Sequence, residues 1–239
     1  IVSQADGFIR SLCVKLILPL CAGFLPFDKK ITRGEDLMTA SELFTDIEKH
    51  LIQDEKPSVF LNDVYYDDLF KEYPFKMLFE LKSVEQSPIH HPEGNVWNHT
   101  LLVVDEAAKQ KHKSKNQAAF MWAALLHDIG KTSTTQVRKG KITAYDHDKV
   151  GEKLSKEFLA VFTDDHKFVN EVSQLIRYHM QILFVANDLP FADINGMKRS
   201  TDINEIALLG LCDRLGRTGN DRKKEEKNIE LFLQKCNDG

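Results

Sequence analysis

Residues 117–128 read QAAFMWAALLHD, and this stretch restricts the fold more than any other. From 118 to 126 every residue is apolar, so a helix there is apolar on all sides. Such a helix belongs in the centre of a domain, covered around its whole circumference by other elements. It also ends on His127-Asp128, just before Gly130 stops it. A histidine and a carboxylate closing the most buried helix of a chain carry a heavy desolvation cost unless a cation or a metal meets them.

The rest of the sequence supplies the cover, mostly as helices. Residues 40–54 place apolar side chains at 43, 44, 47, 51 and 52, a helical stripe. Thr39 is its expected N-cap, with Glu42 three residues on. Pro57 suits a helix start leading into 59–73; Pro74 breaks that segment and 75–84 resumes it. The run 86–94 (QSPIHHPEG) is a loop by its Pro, His and Gly content. Asn95 caps a helix from 96 to about 113, and Ser114 or Asn116 opens the apolar one. Further helices are expected over 147–162, 165–180, 202–217 and 221–236, with 187–200 a loop holding at most one short helix. Residues 136–145 alternate around a Lys-Gly turn, the one place for a short β-hairpin. The predicted class is therefore all-α. No repeat, low-complexity tract or Gly/Ser linker divides 38–239, which reads as a single helical domain.

Composition excludes several classes. The chain has 239 residues, 42% hydrophobic and 28% charged, near globular averages and unlike a disordered or collagen-like chain. Its 36 acidic and 32 basic residues give a formal charge of −4. No overall basic excess drives non-specific nucleic-acid binding, although a local basic patch remains open. Four cysteines (Cys13, Cys21, Cys212 and Cys236) in a chain this long do not make a disulfide scaffold, and a reducing cytoplasm is expected.

The N-terminal region is read separately. The apolar run 8–27 contains an uncharged stretch, 16–27, short of the ~20 residues needed to span a bilayer. A signal-peptide core and a buried N-terminal helix both match it. A third reading takes Met38 as the natural start and 1–37 as an N-terminal extension translated from a leader. Arg33-Gly34-Glu35 back-translates to a purine run at the distance of a ribosome-binding site.

Four histidines and two aspartates stand out at or near helix ends or inside apolar helices: His99, His127, Asp128, His147, His179 and Asp213. A lone histidine near a helix end is more often a satisfied polar group than a ligand. Asp213 is harder to dismiss, because Leu208, Leu209, Leu211 and Leu215 surround it in sequence. Neutral imidazoles with carboxylates suit borderline divalent metals such as Zn, Fe, Mn, Ni or Co. Six such groups suffice for one or two ions if an aspartate bridges. Asp67-Asp68 is read as a solvated helical face. His50, His112 and His166 are read as solvent-exposed, and Trp97 and Trp122 as core.

The order H…HD…H…H…D around His127-Asp128-Ile129-Gly130-Lys131 resembles the HD superfamily of metal-dependent phosphohydrolases. The stretches His90-His91-Pro92-Glu93-Gly94-Asn95-Val96-Trp97-Asn98-His99-Thr100 and Cys212-Asp213-Arg214-Leu215-Gly216-Arg217 look like the HD domain of bacterial tRNA nucleotidyltransferases. The resemblance covers roughly 75–220. The nucleotidyltransferase head is missing: residues 38–74 are too few and too helical for it, so CCA addition is not expected of this chain.

The resemblance implies a metal site between helices. It assigns His99, His127, Asp128 and Asp213 to a first ion, and His147 and His179 to a second that shares Asp128. Two ions about 3.5–4 Å apart can share a hydroxide and aim it at phosphorus. It also implies that Lys131 faces the substrate phosphate. Arg214 and Arg217 are candidate phosphate contacts, and His91 a residue at the mouth. The expected substrate is a phosphate mono- or diester, a nucleotide or an RNA-end phosphate, with no membrane partner. Two rival readings are a di-iron oxygenase on the same ligand order and a non-catalytic HD domain that binds nucleotide or RNA.

Overall fold

The computed structural model describes residues 31–33 and 36–238. The run 8–27 and most of the 1–37 extension lie outside the described residues. A short antiparallel ladder, β1 (Ile31–Arg33) with β2 (Asp36–Met38), precedes the helices. This second hairpin was not expected, because three-residue strands are too short to show a period of two.

Helix α1 (Ala40–Gln53) begins with the expected capping box. The Glu42 N–H donates to Thr39 Oγ1 (3.2 Å), and the Thr39 N–H donates to Glu42 Oε2 (2.6 Å). Its stripe buries Leu43, Ile47 and Leu51. The long helix expected over 59–73 is shorter. Helix α2 (Ser58–Val64) ends at Val64, and in the turn that follows Asp67 Oδ1 accepts the Leu69 N–H (2.9 Å). A local side-chain acceptor of this kind competes with helix propagation. The chain continues through a 3-10 turn (Leu69–Lys71), α3 (Lys76–Phe79) and a second 3-10 turn (Glu80–Ser83). This broken path turns Tyr65 and Phe70 onto Trp97, with ring centroids 5.3 and 5.7 Å away. Asp68 is solvated as expected, whereas Asp67 is half-buried in its turn.

Helices α4 (Val96–Gln110) and α5 (Gln117–Leu126) are capped by Asn95 and Asn116. Every residue of α5 from Ala119 to Leu126 is buried, as its composition requires. It packs against α1, α4, α8 (His166–Tyr178) and α11 (Ile203–Leu215). After the His127-Asp128 turn come α6 (Lys131–Thr134) and the expected hairpin, β3 (Thr135–Arg138) with β4 (Lys141–Ala144). Helix α7 (His147–Leu159) then pairs with α8. Past α8, α9 (Gln181–Ala186) was not anticipated; α10 (Ile194–Ser200) is the one short helix allowed for. Helix α12 (Arg222–Asp238) covers α9 and α11.

The buried apolar residues from Leu43 to Cys236 form one cluster, with Trp97 and Trp122 inside it. His112 and His166 are exposed. His50 is not: it is half-buried, stacked on Phe60 at 3.7 Å, with Nδ1 2.8 Å from Asp54 Oδ2. Among the described residues, no helix is long and apolar enough to cross a membrane.

Candidate metal centre

The five helices and turns around α5 bring the six candidate ligands to one place. His99 comes from the first turn of α4, His127 and Asp128 from the turn after α5, and His147 from the start of α7. His179 follows α8, and Asp213 sits in the last turns of α11. All six are buried.

Three of the imidazoles are held in one tautomer. His127 Nδ1 lies 2.9 Å from the Ala124 carbonyl, His147 Nδ1 2.7 Å from that of Ala144, and His179 Nδ1 2.6 Å from that of Ile176. A carbonyl only accepts, so each Nδ1 carries the proton and each Nε2 offers a lone pair inward. The acceptor is always the residue three positions back, because each ring folds onto the turn that precedes it.

Asp128 stands between two sets of these nitrogens. Its Oδ2 is 3.2 Å from His127 Nε2 and 3.9 Å from His99 Nε2; its Oδ1 is 3.4 Å from His147 Nε2 and 3.9 Å from His179 Nε2. Asp213 Oδ1 lies 3.0 Å from His99 Nε2. Donor atoms that share one ion at about 2.1 Å lie about 3–3.5 Å apart, and most of these separations match. The chemistry also fits. His147 Nε2 and His179 Nε2 face each other at 3.2 Å with both Nδ1 protons already committed. Two lone pairs in that position repel unless a cation lies against them.

The electrostatics point the same way. Burial alone would raise the Asp128 carboxyl, but Lys131, His127 and His147 together hold it well below its ordinary range. For Asp213, burial is likewise overcome by Arg217 and His99. Burial, then His147 and His127, lowers His179 to about 4, and burial lowers His147 against the pull of Asp128. Burial would lower His127 too, but Asp128 outweighs it and the value rises. The site therefore keeps ionised carboxylates beside neutral His147 and His179, the protonation states a divalent metal requires of such ligands.

The other candidates are placed as follows. Lys131 opens α6 and is buried; its Nζ lies 2.7 Å from Asp128 Oδ2 and donates to Gln86 Oε1 at 2.7 Å. Arg217 Nη2 lies 3.4 Å from both Asp213 oxygens. Arg214 turns to α12, where its Nε donates to Glu225 Oε2 (2.9 Å). His91 is buried, its ring edge-on to His99 at 4.7 Å. Burial, then Lys131, His99 and Arg217, lowers it to about 4.

Two residues of the site were not anticipated. Glu93 Oε1 lies 2.9 Å from both His91 Nδ1 and His99 Nδ1, and Oε2 accepts the Thr218 N–H (3.2 Å). Burial opposes its ionisation, but the contacts with His99 and His91 draw it down to about 2. A carboxylate on the outer nitrogen of a ligating histidine orients the ring and raises its basicity. Gln86 holds Lys131. Glu93 lies inside the motif that marks His99; Gln86 sits 45 residues before its partner and no spacing rule points to it.

Residues 96–218, which carry all six candidate ligands, match the family model described as the HD domain. The chain belongs to the HD-domain family. Among curated proteins it is similar to the multifunctional CCA protein of Actinobacillus pleuropneumoniae serotype 5b, 37% identical over 115 residues, 46% of this chain and 25% of that protein. It is 25% identical over 207 residues to the one from Haemophilus influenzae, covering 78% of this chain and 46% of that protein. The Pseudomonas syringae pv. syringae protein of the same name is 31% identical over 110 residues, 46% of this chain and 26% of its own length. The chain thus spans less than half the length of these relatives.

Proposed function

We propose that this protein is a metal-dependent phosphohydrolase acting on a phosphate mono- or diester of a nucleotide or an RNA end, in the cytoplasm. The observation that carries the reading is the split of Asp128 between two sets of inward-facing Nε2 atoms. His99, His127, Asp128 and Asp213 would hold one ion; His147 and His179, with Asp128 shared, would hold a second. Bound divalent metal supplies an acidified water and a Lewis acid for the phosphoryl oxygens.

The chain's own groups do the rest. The i−3 carbonyls keep three rings in the ligating tautomer, and the Glu93 carboxylate, 2.9 Å from His99 Nδ1, favours a proton on that nitrogen. Lys131 reaches Asp128 Oδ2 and Gln86, so its ammonium lies where charge on a phosphate oxygen would develop. Arg217, on Asp213, and the neutral ring of His91 flank that position. Arg214, held by Glu225, in this reading locks α11 to α12. The similarity to multifunctional CCA proteins, together with the resemblance to tRNA nucleotidyltransferase HD domains, favours a nucleotide substrate.

The test is an anaerobic substrate panel on protein loaded with Mn, Co, Ni, Zn or Fe. It includes p-nitrophenyl phosphate, bis(p-nitrophenyl) phosphate, 2′,3′-cyclic nucleotides and 3′-phosphorylated oligonucleotides. Turnover of at least one ester without O₂ is expected. Loaded protein that hydrolyses none contradicts the reading, and iron-dependent O₂ consumption would replace it with oxygenase chemistry.

A further inference from the structure

From 129 to 145, between the candidate ligands Asp128 and His147, the chain carries Lys131, Arg138, Lys139 and Lys141 and no acidic residue, although the whole protein has a formal charge of −4. Lys131 is buried in the site. The other three cations lie on the β3–β4 hairpin, all exposed. Among the described residues, no carboxylate pairs with any of these three. Lys139 (φ 50°) and Gly140 (φ 74°) form a tight two-residue turn that puts Lys139 at the tip. Val137 is 73% and Tyr145 63% exposed, and the Arg138 guanidinium sits 5.3 Å over the Tyr145 ring.

The hairpin is tied to the centre at both ends. At one end, β3 follows α6, whose Lys131 contacts Asp128. At the other, the Ala144 carbonyl accepts the His147 Nδ1–H. Four-residue strands reach about 13 Å, the length of about four stacked nucleotides at ~3.4 Å each.

We propose that the β3–β4 hairpin is a docking surface for the backbone of a single-stranded oligonucleotide whose terminal phosphate enters the metal centre. Three cations that meet no carboxylate among the described residues (Arg138 donates to the neutral Gln136 Oε1) offset backbone phosphates, and an exposed ring beside them gives a base something to stack on. That combination of charge and aromatic face is how single strands are held without sequence preference. The inference deepens the phosphohydrolase reading and rests on it only for the claim that the strand's end reaches Asp128.

The experiment reads binding, not turnover. Fluorescence anisotropy of a labelled ten-residue oligouridine is followed with the metal-free full chain from 50 to 300 mM KCl. Thermal unfolding checks that each variant is folded. R138Q/K139Q/K141Q should weaken binding at least tenfold at low salt. It should lower the slope of log affinity against log salt by about 2, from three contacts at ~0.7 each. Y145L should weaken oligouridine by about fivefold or more and leave inorganic polyphosphate binding unchanged. A triple variant within twofold of the parent overturns the proposal. So does a Tyr145 variant that loses nothing, since the surface would then be a plain polyanion site. If the protein binds the strand but hydrolyses nothing, the phosphohydrolase reading fails and this surface stands. If it hydrolyses small esters but binds no strand, the reverse holds.

Discussion

Gly130→Ala tests how closely the two halves of the centre must approach. A Cβ at 130 would lie 2.1 Å from the His147 carbonyl oxygen and 2.7 Å from the Gly151 N. Both neighbours are backbone, so no side chain can swing away. Bringing the first contact to 3.0 Å, the lower edge of real Cβ contacts, separates the His127-Asp128 turn from the first turn of α7 by about 1 Å. His147 Nε2 and Asp128 Oδ1 are 3.4 Å apart, so the same shift takes them to the edge of the ~4.2 Å that two metal bonds of ~2.1 Å can span and out of the ~3–3.5 Å of neighbouring ligands. Overpacking of this kind costs about 1–3 kcal/mol, which in a domain of this size lowers Tm by roughly 2–12 °C. Turnover should fall about 10²-fold, the scale of a 1 Å misplacement. Calorimetric titration with Mn²⁺ should show the second equivalent weakened and the first retained. Gly140→Ala is the control: its Cβ meets nothing within 4 Å. It costs only left-handed strain, about 1 kcal/mol, and should leave the metal alone. A Gly130→Ala protein with parent Tm and two parent-affinity equivalents would mean that the close approach at Gly130 does not set the spacing of Asp128 and His147.

Lys131→Met should keep its metal and lose about 10²–10³ in kcat, the effect of removing one preorganised electrostatic donor; Lys131→Arg should rescue only partly. Parent turnover in Lys131→Met would show that the ammonium only balances Asp128. Glu93→Gln should weaken the first metal equivalent about 10–100-fold by titration, and unchanged affinity would mean that Glu93 does not act through His99. Glu225 is held below its ordinary value: burial opposes this, but hydrogen bonds from Arg214 and Asn228 prevail. Its stabilisation is therefore present above pH ~4.5 and lost as pH falls through the lowered folded value. The Tm gap between parent and Glu225→Gln should be widest near pH 6–7 and narrow below pH 4.5. A gap independent of pH would contradict that assignment.

The parts of the centre that sequence exposed were those with a local physical signature. An all-apolar helix ending in His-Asp can only be central, and Asp213 amid leucines had to meet a cation. The capping box at Thr39 and the 136–145 hairpin were equally local. What stayed hidden depends on contacts across the chain. The expected long helix gives way after Val64 to a turn held by Asp67, and Tyr65 and Phe70 on either side of it both reach Trp97. Phe60 covers His50 on what reads as a charged face. Glu93, Gln86 and the Arg214–Glu225 pair gain their meaning only from partners brought in by folding. For Arg214, position beside Asp213 suggested the site, and the structure adds a partner on α12 that no spacing rule points to, Glu225.

Metal stoichiometry of Asp128→Ala, measured beside the parent, His147→Ala and His179→Ala with Mn²⁺ and Co²⁺, shows whether one carboxylate serves two metal positions. A shared Asp128 gives two equivalents in the parent, about one in each histidine variant, and loss of most metal in Asp128→Ala while the fold survives. Full occupancy in Asp128→Ala would contradict a carboxylate shared between two positions.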